Sequence, residues 1–205
     1  GIAIDSRKIE TNWLFAATVG ERVDGHSFIE SCYEKGALCC LGEKEYAYNG
    51  HSYIRVASTF QALKDIAEYY RSTLEIPVVG ITGSVGKTST KEMIASVLGV
   101  KFNTLKTAGN FNNEVGLPLT VFNIREEHEA AVLEMGISDF GEMHRLSKVA
   151  RPNICVITNI GFCHLEFLGD RDGVLRAKSE IFDFAAENAK AIVNGDDDKL
   201  RTLKS

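Results

Sequence analysis

A chain of 205 residues, 44% hydrophobic and 25% charged, has the makeup of an ordinary globular protein that buries a core without needing disulfides. Its formal net charge of -5 argues against a nucleic-acid binder, whose contact face is usually basic. Five cysteines without a Cys-x-x-Cys pair (Cys32, Cys39, Cys40, Cys155 and Cys163) give neither a zinc signature nor a disulfide framework, and they fit reduced thiols in a cytoplasmic protein. There is no signal-peptide pattern and no apolar run long enough to cross a bilayer, so no membrane insertion is expected. The sequence opens in mid-pattern at Gly1 without an initiator Met, as a piece of a longer chain would.

The first third reads as a small mixed α/β domain. Ala37 to Leu41 is a short apolar run, and Ser52 to Val56 alternates as a half-buried strand does. Ser58 and Gln61 have capping-box spacing, and Phe60, Leu63, Ile66, Ala67 and Tyr70 follow with a helical period. That helix is expected to fade over Ser72 to Ile76, with Pro77 marking a domain boundary. The expected domains are therefore residues 1–75 and 76–205.

Beyond Pro77 the expected strands are Val78 to Thr82, Ala130 to Met135, Ile154 to Thr158 and Ala191 to Asn194. Between them lie expected helices at Lys87 to Leu98, closed by Gly99, at Phe140 to Val149 and at Val174 to Glu187. Alternating strands and helices predict an α/β fold, with a mostly parallel sheet carrying helices on both faces.

Thr82-Gly83-Ser84-Val85-Gly86-Lys87-Thr88-Ser89 lies between a strand and a helix, the context of a phosphate-binding loop. Its glycines let backbone N–H groups and the helix N-terminus point at phosphate oxygens. Lys87 is placed to reach the outer phosphates, and the Thr88 hydroxyl to help hold magnesium. Ile81 stands where the usual pattern has its first glycine.

Ligands of open parallel sheets bind beyond the carboxyl ends of the strands. Glu134 lies at one such end, and His164 one loop beyond another. Taken singly, each is as readily a salt-bridged or surface residue; their shared sheet edge makes them candidates. Lys178 falls within the apolar stripe Val174, Lys178, Ile181, Ala185. It is either a snorkelling lysine, which periodicity alone favours, or one held for chemistry.

Together these residues resemble the Mur ligase family, whose members form amide bonds at the expense of ATP. The loop from Thr82 to Ser89 matches the family's version of the phosphate loop, which lacks the first glycine. The resemblance implies ATP and Mg2+ as cofactors, with Thr88, Glu134, His164 and Lys178 at metal positions. It also implies that Lys178 is carbamylated by carbon dioxide, and that Lys87, Lys178 and His164 serve catalysis. Asn110-Phe111-Asn112-Asn113-Glu114-Val115-Gly116-Leu117-Pro118 and Leu133-Glu134-Met135-Gly136 look like the D-alanyl-D-alanine-adding branch. No Thr-Thr-Pro or Ser-Ser-His element of the lysine- or diaminopimelate-adding branch appears.

At the front, Asp5-Ser6-Arg7 and Asp24-Gly25-His26 resemble the family's UDP-sugar-binding domain. By that resemblance Ser6, Arg7, Asn110, Asn112 and Asn113 touch substrate, although a surface arginine after a turn is an adequate plain account of Arg7. The implied partners are UDP-N-acetylmuramoyl-tripeptide and D-alanyl-D-alanine, acting on a cytoplasmic monomer. The family's carboxy-terminal domain has no counterpart in these 205 residues, so the chain alone is expected to be inactive. Three rivals remain: another ligase of the family, a non-catalytic UDP-sugar or nucleotide module, and a P-loop kinase or GTPase. The GTPase lacks its Asn-Lys-x-Asp element here.

Overall fold

A computed structural model describes residues 1–47 and 50–203. The chain divides into two compact units, Gly1–Ile66 and Ala67–Ser205.

In the first unit, β1 (Ile2–Ala3), β2 (Leu14–Ala16), α1 (Ile29–Glu34), β3 (Cys39–Gly42), β4 (Ser52–Arg55) and α2 (Thr59–Ser72) follow in order. α2 runs across the division between the units. The four strands form a wholly parallel sheet in sequence order. Phe15, Ile29, Cys32, Tyr33 and Cys40 make its buried core. The capping box of α2 is one-sided. Gln61 donates its N–H to the Ser58 hydroxyl (3.3 Å), but its side chain donates to Asp65 instead of folding back. Asp24-Gly25-His26 is a clasp: Asp24 accepts from the His26 N–H (3.0 Å), and His26 Nε2 accepts from the Glu43 N–H (2.8 Å).

The second unit contains β5 (Val78–Thr82), α3 (Lys87–Leu98), β6 (Thr104–Lys106), α4 (Gly116–Val121), β7 (Ala130–Glu134), α5 (Glu142–Ala150), β8 (Ile154–Ile157), α6 (Leu165–Leu168), α7 (Arg171–Ser179) and β9 (Lys190–Val193). Its sheet is wholly parallel in the order β6-β7-β5-β8-β9. β5 and β7 are buried along their whole length, which is why they read as continuous apolar runs. Their side chains divide between the faces by strand alternation. Val79, Ile81, Val132 and Val156 pack with Ala95 of α3, while α5 packs on β5 and α7.

Two expected helices shift. The one expected over Val174 to Glu187 starts at Arg171, because the Asp170 side chain accepts from the Gly173 N–H (2.8 Å). It ends at Ser179 and tightens into a 3-10 turn, Glu180–Phe182. Glu180 accepts from the Gly141 and His144 N–H groups at the start of α5, and Ser147 donates to the Ile181 carbonyl (2.8 Å). Tertiary partners thus occupy the turn that would have continued the helix. The helix expected from Phe140 begins at Glu142, after Gly141 at φ +75°. Gly99 does close α3, but in a right-handed conformation (φ -63°) that another turn of chain follows.

Arg71 is buried near the end of α2 and binds open carbonyls at the end of α5 and just beyond α2. Its guanidinium donates to Ala150 (2.9 Å), Arg151 (3.2 Å) and Leu74 (2.8 Å), and burial lowers its pKa. An Arg71→Met protein should lose about 3 kcal/mol, since one buried and two partly buried carbonyls lose a charged donor together. Thermal melts would check this, and an unchanged midpoint would mean that water replaces the guanidinium.

Candidate functional site

The site forms where β5, β7 and β8 end along one edge of the second sheet, because parallel strands send all their carboxyl ends the same way. Gly83 (φ +146°) and Gly86 (φ +81°) carry the chain through conformations that other residues avoid, and Gly86 directly precedes α3. Gly83 has a second reason to be glycine, since a Cβ there would lie 1.9 Å from the Thr158 hydroxyl.

The loop after β8 braces the phosphate loop. Asn159 accepts from the Ser84 N–H with its carbonyl (3.0 Å) and from the Val85 N–H with its side chain (3.1 Å). Both Thr158 and Asn159 donate to the Val85 carbonyl (2.7 and 3.0 Å). The Ser84 hydroxyl accepts from the Gly161 N–H (2.8 Å) and the Cys163 thiol (3.2 Å). Thr158 and Asn159 are parts of the site that sequence reasoning did not single out. Their signal was available, as the first polar residues after a buried strand opposite the loop.

Lys87 donates to the Gly83 carbonyl (2.8 Å), so its ammonium is held over the loop. Ser89 lies in the first turn of α3, two residues beyond Lys87. The Thr88 hydroxyl donates to Glu134 Oε2 (2.9 Å). Glu134 is 3% exposed, and its other oxygen accepts from the Asn112 amide (2.9 Å). Its own N–H donates to Thr107 Oγ1 (2.9 Å). The structure therefore joins Thr88, Glu134 and Asn112.

Asn113 plays a different part, because its side-chain oxygen accepts from Val115 and Gly116 N–H groups (3.2 and 2.8 Å) at the start of α4. Asn110 is exposed, and its carbonyl accepts from the Asn112 N–H (2.8 Å). His164 is exposed at φ +52°, immediately before α6, on the loop that Gly161 and Cys163 tie to Ser84.

Lys178 is 1% exposed, within the buried stripe with Val174, Ala177 and Ile181, so its amine does not snorkel to solvent. Burial lowers its pKa to about 8; the field of Cys163 opposes that shift and the charge of Lys87 adds to it. A poorly solvated amine of this kind is more often neutral than a surface one, and a neutral amine is a nucleophile.

In the first unit, Ser6 and Arg7 lie in a 3-10 turn that Asp5 caps. Arg7 is 86% exposed and paired with Asp5 through two hydrogen bonds (2.9 and 2.7 Å), which hold the Asp5 carboxyl at about 2. The Ser6 carbonyl accepts from Lys35 (2.8 Å).

Among the described residues, no three His, Cys, Asp or Glu side chains gather as a metal cluster, and no helix is long and apolar enough to cross a membrane. The Thr88 and Glu134 oxygens are nevertheless hard donors beside a phosphate loop. That is the donor chemistry of a magnesium ion that keeps some of its waters and shares phosphate oxygens.

Comparison with known proteins agrees with this geometry. Residues 81–205 match the Mur ligase middle domain, and residues 1–79 match the Mur ligase family, catalytic domain. The chain is 45% identical over 207 residues to the UDP-N-acetylmuramoyl-tripeptide–D-alanyl-D-alanine ligase of Bacillus subtilis (strain 168), covering 100% of this chain and 45% of that protein. The structure is similar to MurF ligase from Thermotoga maritima in complex with ADP (TM-score 0.89, 36% identity, 98% of this chain and 47% of that one). It is also similar to MurF from Acinetobacter baumannii (TM-score 0.89, 39% identity, 96% and 44%). The chain thus spans about half the length of these relatives.

Two measurements probe the site. Gly83→Ala should weaken nucleotide binding by roughly tenfold or more, because left-handed strain and the Thr158 clash each cost about 1–3 kcal/mol; unchanged affinity would mean the loop relaxes freely. For Lys178, the native amine sheds its proton near pH 8, whereas the unfolded chain keeps it to about 10.5. The unfolded state therefore binds more protons between those values, and stability rises with pH across that window. Melting temperatures of the parent should climb relative to Lys178→Met there. Parallel curves would mean an unshifted lysine.

Proposed function

The chain belongs to the Mur ligase family, and on that premise we propose that the complete protein is the ATP-dependent, ADP-forming ligase that joins D-alanyl-D-alanine to UDP-N-acetylmuramoyl-tripeptide. It would act as a cytoplasmic monomer in peptidoglycan precursor synthesis. Residues 1–75 would bind the UDP-sugar, with Ser6 and Arg7 at the substrate, and residues 76–205 would bind ATP. The observation that carries this reading is the hydrogen bond from Thr88 to Glu134 across the mouth of the phosphate loop (2.9 Å). It puts two hard oxygen donors, from a helix start and a strand end, where a magnesium nucleotide would need them.

ATP, when bound with magnesium to offset its charge, would give its gamma-phosphoryl group to the tripeptide carboxylate with ADP leaving, and the dipeptide's amine would then displace phosphate from that acyl phosphate. The chain's residues have the matching roles. N–H groups from Gly83 to Thr88 and the start of α3 meet phosphate oxygens. Lys87 offsets the repulsion between a carboxylate and a triphosphate. Thr88, Glu134 and His164 would hold magnesium, and Lys178 would contribute to the same site if its poorly solvated amine takes up carbon dioxide as a carbamate. Asn112 orients Glu134 through its amide, and Asn110 and Asn113 keep the same segment near substrate.

The test is phosphate release by the complete protein with each precursor in turn. Turnover with the tripeptide precursor and D-alanyl-D-alanine, well above that with the dipeptide precursor, is expected. Equal turnover with both precursors, or dependence on a single free amino acid, would sink the assignment. Lys87→Ala should lower kcat by roughly 100- to 1000-fold, with a much smaller change in the KM of the sugar precursor.

A further inference from the structure

Glu134 is 3% exposed yet must carry charge to hold a metal, and a lone carboxylate in such a place is costly. One cation is buried with it. Lys91 lies on α3, three residues beyond Thr88 and so on the same helix face, and is 2% exposed. Its Nζ is 3.7 Å from Glu134 Oε2, the oxygen that accepts from Thr88. The same ammonium donates to the Thr107 carbonyl (2.8 Å), while Thr107 Oγ1 accepts the Glu134 N–H (2.9 Å). One residue after β6 thereby fixes both partners.

The separation matters. At 3.7 Å Lys91 acts through its charge without a short hydrogen bond, so Oε2 keeps lone-pair capacity for another ligand. Lys91 also pairs with the half-exposed Glu92 (Oε1 at 3.3 Å), and Glu92 pairs in turn with Lys106. A fully concentrated ammonium beside Glu134 would repel a divalent cation, and sharing it with Glu92 moderates that repulsion.

We propose that Lys91 is a positioning residue that holds the Glu134 carboxylate aimed at the magnesium of a bound nucleotide. The proposal rests on the reading of Glu134 as a magnesium ligand, and its test separates the two. Outer-shell partners of metal ligands are typically worth 10- to 100-fold in metal affinity. Lys91→Gln keeps a donor for the Thr107 carbonyl but removes the charge, and Lys91→Arg keeps the charge.

In the complete protein, binding of a fluorescent ADP analogue is titrated with magnesium and repeated in chelator, with thermal melts alongside. Lys91→Gln should bind the analogue in chelator within about twofold of the parent, yet need roughly tenfold more magnesium to reach half its enhancement, while Lys91→Arg stays near the parent. A folded Lys91→Gln with parental magnesium dependence overturns the proposal. So does a Lys91→Gln that no longer folds, since Lys91 would then be a structural residue, and so does a Lys91→Arg as impaired as Lys91→Gln. Glu134→Gln is the control. If it keeps full magnesium dependence, the reading of Glu134 fails; if it loses that dependence while Lys91→Gln keeps it, only the role of Lys91 fails.

Discussion

A buried carboxylate sets the terms for this half of the molecule. Glu134 ends the strand next to the centre of the sheet, nearly sealed from bulk water, and the groups that orient it come from the protein. The chain meets that need from three directions: Thr88 and Lys91 from one face of α3, Asn112 from the segment before α4, and Thr107 from the residue after β6. Strand order makes this possible. With β6 and β5 on either side of β7, the groups that follow β6 and β5 fall on the two flanks of the same carboxylate.

A second arrangement keeps the phosphate loop in shape. A glycine-rich loop has many conformations to lose on meeting an anion, and each hydrogen bond from Thr158, Asn159 and Gly161 removes some of that freedom in advance. The brace is itself anchored. Asp197 accepts from the Ile160 N–H (2.8 Å), and Arg171 donates to the Ile160 carbonyl (2.9 Å) while pairing with Asp198. Residues just beyond β9 thus support, at one remove, a loop far earlier in sequence.

The first unit rests on different terms. Its strands are two to four residues long, and its core depends on a few fully buried side chains, Phe15, Cys32 and Cys40 among them. Polar clasps supplement them: Asp24 with His26, and Glu43 accepting from both the N–H and hydroxyl of Thr59 (2.8 and 2.6 Å). The Asp5–Arg7 pair, by contrast, is exposed and within the reach of salt.

What the sequence determined by itself was local or periodic. β5 and β7 stood out because strands buried on both faces read as unbroken apolar runs, and the phosphate loop because its glycines and Gly-Lys-Thr are contiguous. Lys178 stood out as a cation inside an apolar stripe, which its burial bears out. β1, β2 and β6 leave no mark in the sequence because two or three residues cannot display a period. The end of α7 does not follow its apolar period because Glu180 and Ile181 are engaged by α5 and the glycine before it, a distant stretch of the chain. Tertiary structure alone decided that Lys91 faces Glu134, that Asn112 rather than its neighbour Asn113 reaches the carboxylate, and that Asn159 clasps the phosphate loop. Each of these is a pairing between residues far apart in the chain or a choice between neighbouring asparagines. Helical period and strand alternation carry no information about either, because both are set by which strand ends lie side by side.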